Sequence, residues 1–177
     1  MTVSLRPLAE SDFHAMARWL SDPRVLQWVY GRDDPHDVTK VAARFGPAMR
    51  GEEEPGFRAQ IIELDGRAIG YLQTYPVLDA AEYGLDDATS VWAADLFVGE
   101  PELWNRGLGT EVLRLAAADV FESCGAKRIV VDPRAENVRA VRAYEKSGFR
   151  KVKLLLSHEL HEGVHRDAWL MSVERPA

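Results

Sequence analysis

Apolar residues near the N-terminus recur at the three- and four-residue spacing that places them on one face of a helix. The first series is Phe13, Met16, Ala17 and Leu20. Ser11 stands where it can cap this helix, which we expect to end near Asp22 and Pro23. The second series is Val38, Val41, Ala42 and Phe45. We expect the second helix to end before Pro47, because the residue before a proline avoids the helical conformation.

Alternating and continuous apolar runs predict the strands of a sheet. The segment "TVSLRPL" is predicted to be an edge strand. "FRAQIIEL" and "RAIGYLQTYPVL" are joined by Asp65 and Gly66, which can adopt the positive φ angles of a tight hairpin turn. "VWAADLFVG" and "KRIVVD" are predicted to be buried strands. A last hairpin, "FRKVKLLLSHEL" and "RDAWLMSVE", is expected to turn at "HEG".

Two further helices are predicted between these strands. One begins at "RGLGTEVL" and continues to about Ser123, and the other lies in "ENVRAVRAYEKSGF" and is closed by Gly148. This strand–helix–strand–helix–strand order implies at least one parallel strand pair with a right-handed crossover. The sequence has no internal repeat, low-complexity tract or linker. We therefore predict one domain of the α/β (α+β) class over residues 1–177.

Composition narrows the class of protein. A chain of 177 residues, 46% of them hydrophobic, suits a globular domain with a substantial core. No apolar run reaches the ~18 residues of a membrane span, and the N-terminus lacks the pattern of an export signal, so we expect a cytoplasmic protein. The net charge of −6 argues against nucleic-acid binding and favours a cationic ligand. The single cysteine, Cys124, excludes an intramolecular disulfide and is expected to pack in the core.

Gly107 and Gly109 stand directly before a predicted helix. A helix start has backbone N–H groups without partners and a partial positive charge, so it suits an anion when no side chain blocks the approach. Arg106 adds a charge there and Thr110 a hydroxyl. The alternative is that the glycines only permit a tight turn and close packing. The third glycine of a dinucleotide-binding G-x-G-x-x-G would fall at Val112, and no P-loop motif occurs, so these two nucleotide sites are disfavoured.

Asp95 interrupts the apolar strand "VWAADLFVG". Aspartate is a poor strand former, and a buried carboxylate is costly unless it is paired or hydrogen-bonded, so this position suggests a function. Period-two alternation places Asp95 and Phe97 on one face of the strand and Ala94, Leu96 and Val98 on the other. The alternative is a structural carboxylate, paired with an arginine or satisfying a bulge.

The segment "HELHEGVH" brings together His158, His161 and His165 in sequence. Its spacing differs from the H-E-x-x-H pattern of zinc enzymes, and it lies at a predicted hairpin turn instead of on a helix. We therefore predict no metal site.

The segments "DLFVGEPELWNRGLGT" and "IVVDPRAENVRAVRAYEKSGF" together resemble the acetyl-CoA-binding core of the GCN5-related N-acetyltransferases (GNAT). Within that superfamily the chain is similar to the aminoglycoside 6′-N-acetyltransferases, from "WLSDPRVLQWVYGR" to "HELHEG". The resemblance implies the GNAT fold, in which helices flank a single mixed sheet with splayed parallel strands. It also implies direct transfer from acetyl-CoA in a ternary complex, without a metal. Trp104 replaces the usual Arg or Gln before the glycines, so phosphate binding is expected to depend on backbone N–H groups.

The same resemblance implies roles for individual residues. Asp95 would be the general base for the incoming amine, acting directly, through a water or by positioning the cation. Tyr144 would assist departure of the CoA thiolate, by a hydrogen bond or by donating a proton, although such an aromatic next to Val138 and Val141 is also typical of a helical core. The residues expected to bind the cofactor are Phe97, Val98, Arg106, Gly107, Gly109, Thr110, Asn137, Ala140 and Lys146. Backbone groups of "LFVG" would hold the pantetheine arm.

The expected acceptor is a cationic small molecule, with the 6′-amine of an aminoglycoside, and hence antibiotic resistance, as the first candidate. The residues expected to bind it are Trp28, Tyr30, Asp95 and Asp132, through charge pairing and ring stacking. Other acidic loop residues are at least in part ordinary solvated surface. The alternatives are another acceptor (a siderophore hydroxylamine, a polyamine or a peptide amine) and a non-catalytic acyl-CoA sensor. We expect a monomer or a homodimer, with no nucleic-acid or membrane partner.

Overall fold

The structure is a computed structural model and describes residues 1–176, so Ala177, the last residue of the predicted domain, lies outside the described residues. Within residues 1–176 the chain forms seven strands. They are β1 (Val3–Pro7), β2 (Arg58–Leu64), β3 (Arg67–Pro76), β4 (Val91–Val98), β5 (Arg128–Val131), β6 (Arg150–His161) and β7 (Val164–Glu174). They form one mixed sheet in the order β1-β2-β3-β4-β5-β7-β6, which confirms the predicted architecture and the edge position of β1.

Five α-helices are assigned within the same residues. They are α1 (Phe13–Trp19), α2 (Pro23–Leu26), α3 (Val38–Arg50), α4 (Leu108–Ser123) and α5 (Val138–Lys146). Each of them is too short or too polar to cross a membrane. Since α4 ends at Ser123, Cys124 lies beyond the helix and is only half-buried, which corrects its predicted place in the core.

Both predicted hairpin turns are confirmed. Asp65 and Gly66, between β2 and β3, have φ angles of 50° and 79°. Glu162 and Gly163, between β6 and β7, have φ angles of 50° and 75°. Two consecutive positive φ angles are typical of the tight turn whose twist matches that of the flanking strands. The turn residues therefore account for the pairing of these strands.

β4 and β5 are parallel, as the order of elements predicts. Residues 91–93 of β4 lie opposite residues 128–130 of β5. α4 lies between the two strands in the chain and provides the crossover. The splaying of the strands beyond these pairs stays a prediction.

The predicted end of α3 is wrong. The helix continues through Pro47 to Arg50 and ends at Gly51, whose φ angle is 68°. The residue before the proline is Gly46, which has no Cβ to clash with the proline ring, so the usual restriction is weak. The helix therefore ends at a left-handed glycine and not at the proline.

The predicted cap of the first helix is also wrong. Ser11 lies in a one-turn 3-10 helix, and Asp12 stands at the N-cap of α1. The carboxylate of Asp12 accepts a hydrogen bond from the backbone N–H of Ala9 at 2.9 Å and pairs with Arg6 at 2.7 Å. The bond from Arg6 lowers the pKa of Asp12. The chain is thus already fixed in a turn before α1 begins.

The chain divides into two compact units. The first unit comprises Met1–Gln73 and Asp95–Leu108, and the second comprises Thr74–Ala94 and the chain from Gly109 onward. The core of the first unit includes Trp19, Phe45, Tyr71 and Phe97. The core of the second includes Val77, Tyr83, Val130 and Leu170. A single functional domain over residues 1–177 stays a prediction.

Candidate functional site

Each predicted site residue belongs to one of the two units. The first unit holds Trp28, Tyr30, Asp95, Phe97, Val98, Arg106 and Gly107. The second unit holds Gly109, Thr110, Asp132, Asn137, Ala140, Tyr144 and Lys146. Their functional roles stay predictions, and the local geometry of each group tells what it can do chemically.

The two glycines at the start of α4 have different reasons to be glycine. Gly107 has a φ angle of 82°, a left-handed conformation that strains any other residue. Gly109 has no such conformation, and a Cβ built on it would meet only the Cβ of Ala143, at 3.9 Å, which is ordinary van der Waals contact. The backbone conformation therefore explains Gly107, whereas neither conformation nor packing within the second unit explains Gly109. An open approach to the helix start remains the predicted reason for the second glycine.

This helix start has the features of an anion site. The first backbone N–H groups of a helix have no partner within the helix, and the helix dipole adds positive charge. Arg106 is exposed in the turn that precedes α4. The Thr110 hydroxyl donates to the carbonyl of Ala143 at 3.4 Å and so connects α4 with α5. A diphosphate is the anion predicted for this position, and backbone N–H groups would bind it.

The start of α5 is fixed by a predicted cofactor residue. The side-chain oxygen of Asn137 accepts a hydrogen bond from the backbone N–H of Ala140 at 3.2 Å, so Asn137 is the N-cap of the helix. At the other end, the exposed Lys146 has its carbonyl bound by Arg114 at 2.8 Å. Asn137 therefore has a structural role, whatever it contributes to cofactor binding.

A tryptophan fixes the chain where β4 ends. The indole N–H of Trp104 donates to the carbonyl of Val98 at 2.8 Å, and its ring packs against the core of the first unit. A Cβ on Gly99 would lie 2.2 Å from Cγ of Trp19, so no larger residue fits there. Glu100 accepts a hydrogen bond from the indole N–H of Trp19 at 3.0 Å. Trp104, which stands in place of the usual Arg or Gln, thus holds the loop before the turn that contains Gly107, the glycine turn.

Asp95 is half-buried and hydrogen-bonded across the sheet. Nε2 of Gln73 on β3 donates to Oδ2 of Asp95 at 2.8 Å. The hydroxyl of Tyr71 donates to Oε1 of Gln73 at 3.2 Å. The ring of Tyr71 also lies 6.0 Å from that of Phe97, as the predicted alternation along β4 requires. Gln73 was not among the predicted site residues, although a lone amide within the apolar run of β3 was a signal.

Tyr30 lies in the same unit as Asp95, and its ring is enclosed. The guanidinium of Arg44 lies 4.2 Å from the ring centroid, and the His36 ring is at 5.0 Å. Burial raises the pKa of Tyr30; Arg44 opposes this shift, and the charge of Asp95 adds to it. Burial, Tyr30 and Asp95 likewise raise the pKa of Tyr71. Both phenols therefore keep their protons, and both lie close enough to Asp95 to feel its charge. Trp28, the other predicted aromatic contact, is half-buried in the segment after α2.

Tyr144 belongs to the packed face of α5. It is buried, and its ring meets that of Phe149 edge to face at 5.6 Å. Val141 on the same helix is buried too, whereas Val138 is 52% exposed. This packing holds the tyrosine in one orientation, which a core residue and a hydrogen-bond donor to a ligand both require.

Asp132, which directly follows β5, pairs with a histidine of β6. Nε2 of His158 lies 2.9 Å from Oδ2 of Asp132. This hydrogen bond raises the pKa of His158, with smaller contributions from the charges of Asp132, Glu159 and Glu82 and an opposing effect of burial. In the sequence, His158 stood out only as part of the rejected metal motif. No group of three or more His, Cys, Asp or Glu residues within residues 1–176 is placed to hold a metal ion.

We expect the His158–Asp132 pair to stabilise the folded protein at low pH. Because the folded pKa of His158 is raised above its ordinary 6.5, the contribution is complete below that value and is lost as the pH rises through the folded pKa. Relative to His158→Gln, the wild type should be more stable by about 0.5–1 kcal/mol on the acid side and equal at alkaline pH. Urea titrations of both proteins across this range measure the difference. A difference that is constant with pH would contradict the assignment.

Comparisons with known proteins agree on one family. A family model described as "Acetyltransferase (GNAT) domain" matches residues 9–155. The chain is 28% identical over 152 residues, 85% of this chain and 75% of the relative, to an aminoglycoside N(6′)-acetyltransferase type 1 of Klebsiella pneumoniae. Among solved structures it is similar to AAC(6′)-Ib in complex with ribostamycin and coenzyme A, with 25% identity and a TM-score of 0.80 over 99% of this chain and 94% of that one. A spermidine N-acetyltransferase of Vibrio cholerae, at 16% identity and a TM-score of 0.78 over 97% and 95% of the two chains, shares the fold.

Proposed function

The chain belongs to the acetyltransferase (GNAT) family and is an N-acetyltransferase that uses acetyl-CoA, and we propose that it acetylates the 6′-amine of an aminoglycoside. The relative of Klebsiella pneumoniae that covers most of the chain is named for this reaction. A similar solved enzyme binds ribostamycin together with coenzyme A. The net charge of −6 and the carboxylates of Asp95 and Asp132 suit such a polycationic acceptor. Acetylation would remove a positive charge from the antibiotic and so give resistance.

The proposed cofactor site is argued mainly from Gly109. Neither conformation nor packing in its own unit requires a glycine there, and a side chain would stand at the approach to the helix start. The backbone N–H groups of residues 107–110 would hold the diphosphate, with Arg106 at the rim. Acetyl-CoA supplies the acetyl group as a reactive thioester. The protein then has to position that group, deprotonate the amine and stabilise the leaving thiolate.

Asp95 is proposed to receive the cationic amine. An alkylammonium must lose a proton before its nitrogen can attack a thioester, and a nearby carboxylate can accept that proton directly or through a water. The same charge also binds and orients the cation before the proton leaves. The hydrogen bond from Gln73 supports the charged form of Asp95 in either case.

Tyr144 is proposed to hydrogen-bond to the departing thiolate. An ordinary phenol has a pKa near ~10 and a thiol one near ~8.5, so complete proton transfer to the thiolate is unfavourable and a hydrogen bond is the smaller demand. The edge-to-face contact with Phe149 holds the ring for this purpose. The backbone of Phe97 and Val98 is proposed to hold the pantetheine arm.

The acceptor is proposed to contact Asp132, Trp28 and Tyr30 as well as Asp95. Arg44 lies over one face of the Tyr30 ring, so the acceptor cannot stack on that face. A sugar amine would compete with His158 for the carboxylate of Asp132. Before the acceptor binds, His158 thus provides the carboxylate of Asp132 with a hydrogen-bond partner.

Product analysis after incubation with acetyl-CoA and kanamycin tests the proposed acceptor. We expect kanamycin to gain the mass of one acetyl group, and fragmentation to place it on the 6′ nitrogen. Spermidine and a peptide with a free amine, assayed in parallel, show whether another acceptor is preferred. Acetylation of these amines but not of kanamycin would overturn the aminoglycoside assignment. Binding of acetyl-CoA without release of the free thiol of coenzyme A in the presence of any of these amines would instead favour the sensor alternative.

Trp104→Phe is expected to weaken binding of coenzyme A by about three- to tenfold, the effect of losing one hydrogen bond. The phenyl ring keeps most of the packing, but the carbonyl of Val98 loses its donor, so the loop before the glycine turn becomes less fixed. Titration calorimetry measures the affinity. Trp169→Phe, whose ring contacts Lys151 in the second unit, is the matched control. Equal affinities of the wild type and Trp104→Phe would contradict this role.

A further inference from the structure

A chain of hydrogen-bonded side chains holds one oxygen of Asp95. The Tyr71 hydroxyl donates to Oε1 of Gln73, and Nε2 of Gln73 donates to Oδ2 of Asp95. Tyr71 and Gln73 lie two residues apart on β3 and therefore on one face of the sheet. All three residues belong to the first unit. The acceptors in the two bonds are Oε1 of Gln73 and Oδ2 of Asp95, and neither oxygen can donate.

The chemistry of the two neighbours fixes the orientation of the Gln73 amide. A carboxylate can only accept hydrogen bonds, so the NH₂ group must face Asp95 and the carbonyl must face Tyr71. Tyr71 is 3% exposed, and burial raises the pKa of its phenol, so the hydroxyl keeps the proton that it donates. A rotation of the amide would break both bonds at once. The plane of the Asp95 carboxylate is thereby fixed as well.

The Gln73 amide that donates to Asp95 is neutral, so it leaves the negative charge of Asp95 available to a cation. An arginine at residue 73 would neutralise Asp95 and repel an ammonium group. An apolar side chain would offer Oδ2 of Asp95 no hydrogen bond. The glutamine amide fixes the orientation of Asp95 without reducing its negative charge. Gln73 therefore meets the requirements of a group that positions a base for a cationic substrate.

We propose that Gln73 is a positioning residue that orients Asp95 toward the acceptor amine, and that Tyr71 sets the orientation of the Gln73 amide. The inference rests on the proposed function, which assigns Asp95 to the incoming amine. Gln73 itself takes no proton and acts through Asp95 alone. Replacement of Gln73 must therefore have little effect on kcat once Asp95 has lost its carboxylate.

A double-mutant cycle tests this dependence. Gln73→Leu, which keeps the volume but not the donor, should lower kcat by about tenfold or more, whereas the acceptor KM and the acetyl-CoA affinity should change by less than about threefold. In the Asp95→Asn background the same substitution should change kcat by less than about twofold. Tyr71→Phe should give an intermediate loss, since Gln73 keeps its bond to Asp95. Equal losses in both backgrounds would overturn the proposal.

Gln73→Glu provides a second test through pH. A carboxylate in place of the amide would face Asp95 at hydrogen-bond distance, and two such groups share a proton. The acid limb of the kcat/KM profile should move to higher pH by about one unit or more. A residue that only stabilised the fold would lower the melting temperature without moving this limb. An unmoved limb would overturn the proposal.

Gln60 on β2 offers a matched control. It is half-buried, belongs to the first unit and lies opposite Pro7 in the sheet. Gln60→Leu and Gln60→Glu should leave kcat and the pH profile unchanged. If wild type acetylates spermidine or a peptide but not kanamycin, the same variants are measured with the amine that reacts. Failure of the aminoglycoside assignment is thus separated from failure of the role of Gln73.

Discussion

Asp95→Asn is expected to lower kcat by about a hundred- to ten-thousandfold, the range that a general base contributes. The affinity for acetyl-CoA should stay within about threefold of the wild type, since Asp95 is assigned to the amine and not to the cofactor. Asparagine suits this test because its side-chain oxygen can still accept the hydrogen bond from Gln73. The sheet is therefore expected to keep its structure while the site loses its charge.

Steady-state kinetics with kanamycin and calorimetry with acetyl-CoA measure the two quantities. Glu122→Gln, an exposed carboxylate on α4, is the matched control and should behave as wild type. A parallel loss of turnover and cofactor affinity in Asp95→Asn would remove Asp95 from the reaction. Restoration of the rate at high pH, where the free amine is abundant, would identify proton removal as its task.

Gly109→Glu is expected to abolish binding of coenzyme A. The new side chain would stand at the start of α4, where it would occupy the approach and repel the diphosphate. Gly109→Ala is the milder test. A Cβ has room at this position, 3.9 Å from the nearest atom, and alanine is favoured over glycine in a helix by roughly 0.5–1 kcal/mol. The alanine variant should therefore melt no earlier than the wild type and bind coenzyme A more weakly, by much less than Gly109→Glu.

In Gly109→Ala, a stability that is kept together with an affinity for coenzyme A that falls would separate a binding role from a structural one. Calorimetry measures the affinity and thermal unfolding the stability. Gly125→Ala, at a left-handed glycine after α4, should show the reverse pattern, with lower stability and unchanged affinity. If Gly109→Ala lowered stability and left the affinity unchanged, glycine at 109 would be a requirement of the fold.

The fold was predictable where local chemistry decides the conformation. Asp65 and Gly66 form their turn because both residues tolerate positive φ angles. The end of α3 was missed because the rule for residues before proline depends on a Cβ that Gly46 does not have. The cap of α1 was missed because Asp12 is fixed by Arg6, a contact between elements that periodicity does not contain.

The candidate site was predictable only as far as single residues stand out along the chain. Asp95 stood out because a carboxylate is rare in an apolar strand, and Gly107 and Gly109 because two glycines directly precede a predicted helix. Gln73, Tyr71 and His158 were not recognised as partners, since their roles arise from pairing with residues distant in sequence. Registers and side-chain pairs of this kind follow from the packed sheet.

A crystal structure of the protein with coenzyme A tests most directly whether the open start of α4 is the diphosphate site. We expect the diphosphate oxygens to lie within hydrogen-bond distance of the backbone N–H groups of residues 107–110. A diphosphate bound elsewhere, with residues 106–110 packed against protein, would contradict the proposed cofactor site and the reaction derived from it.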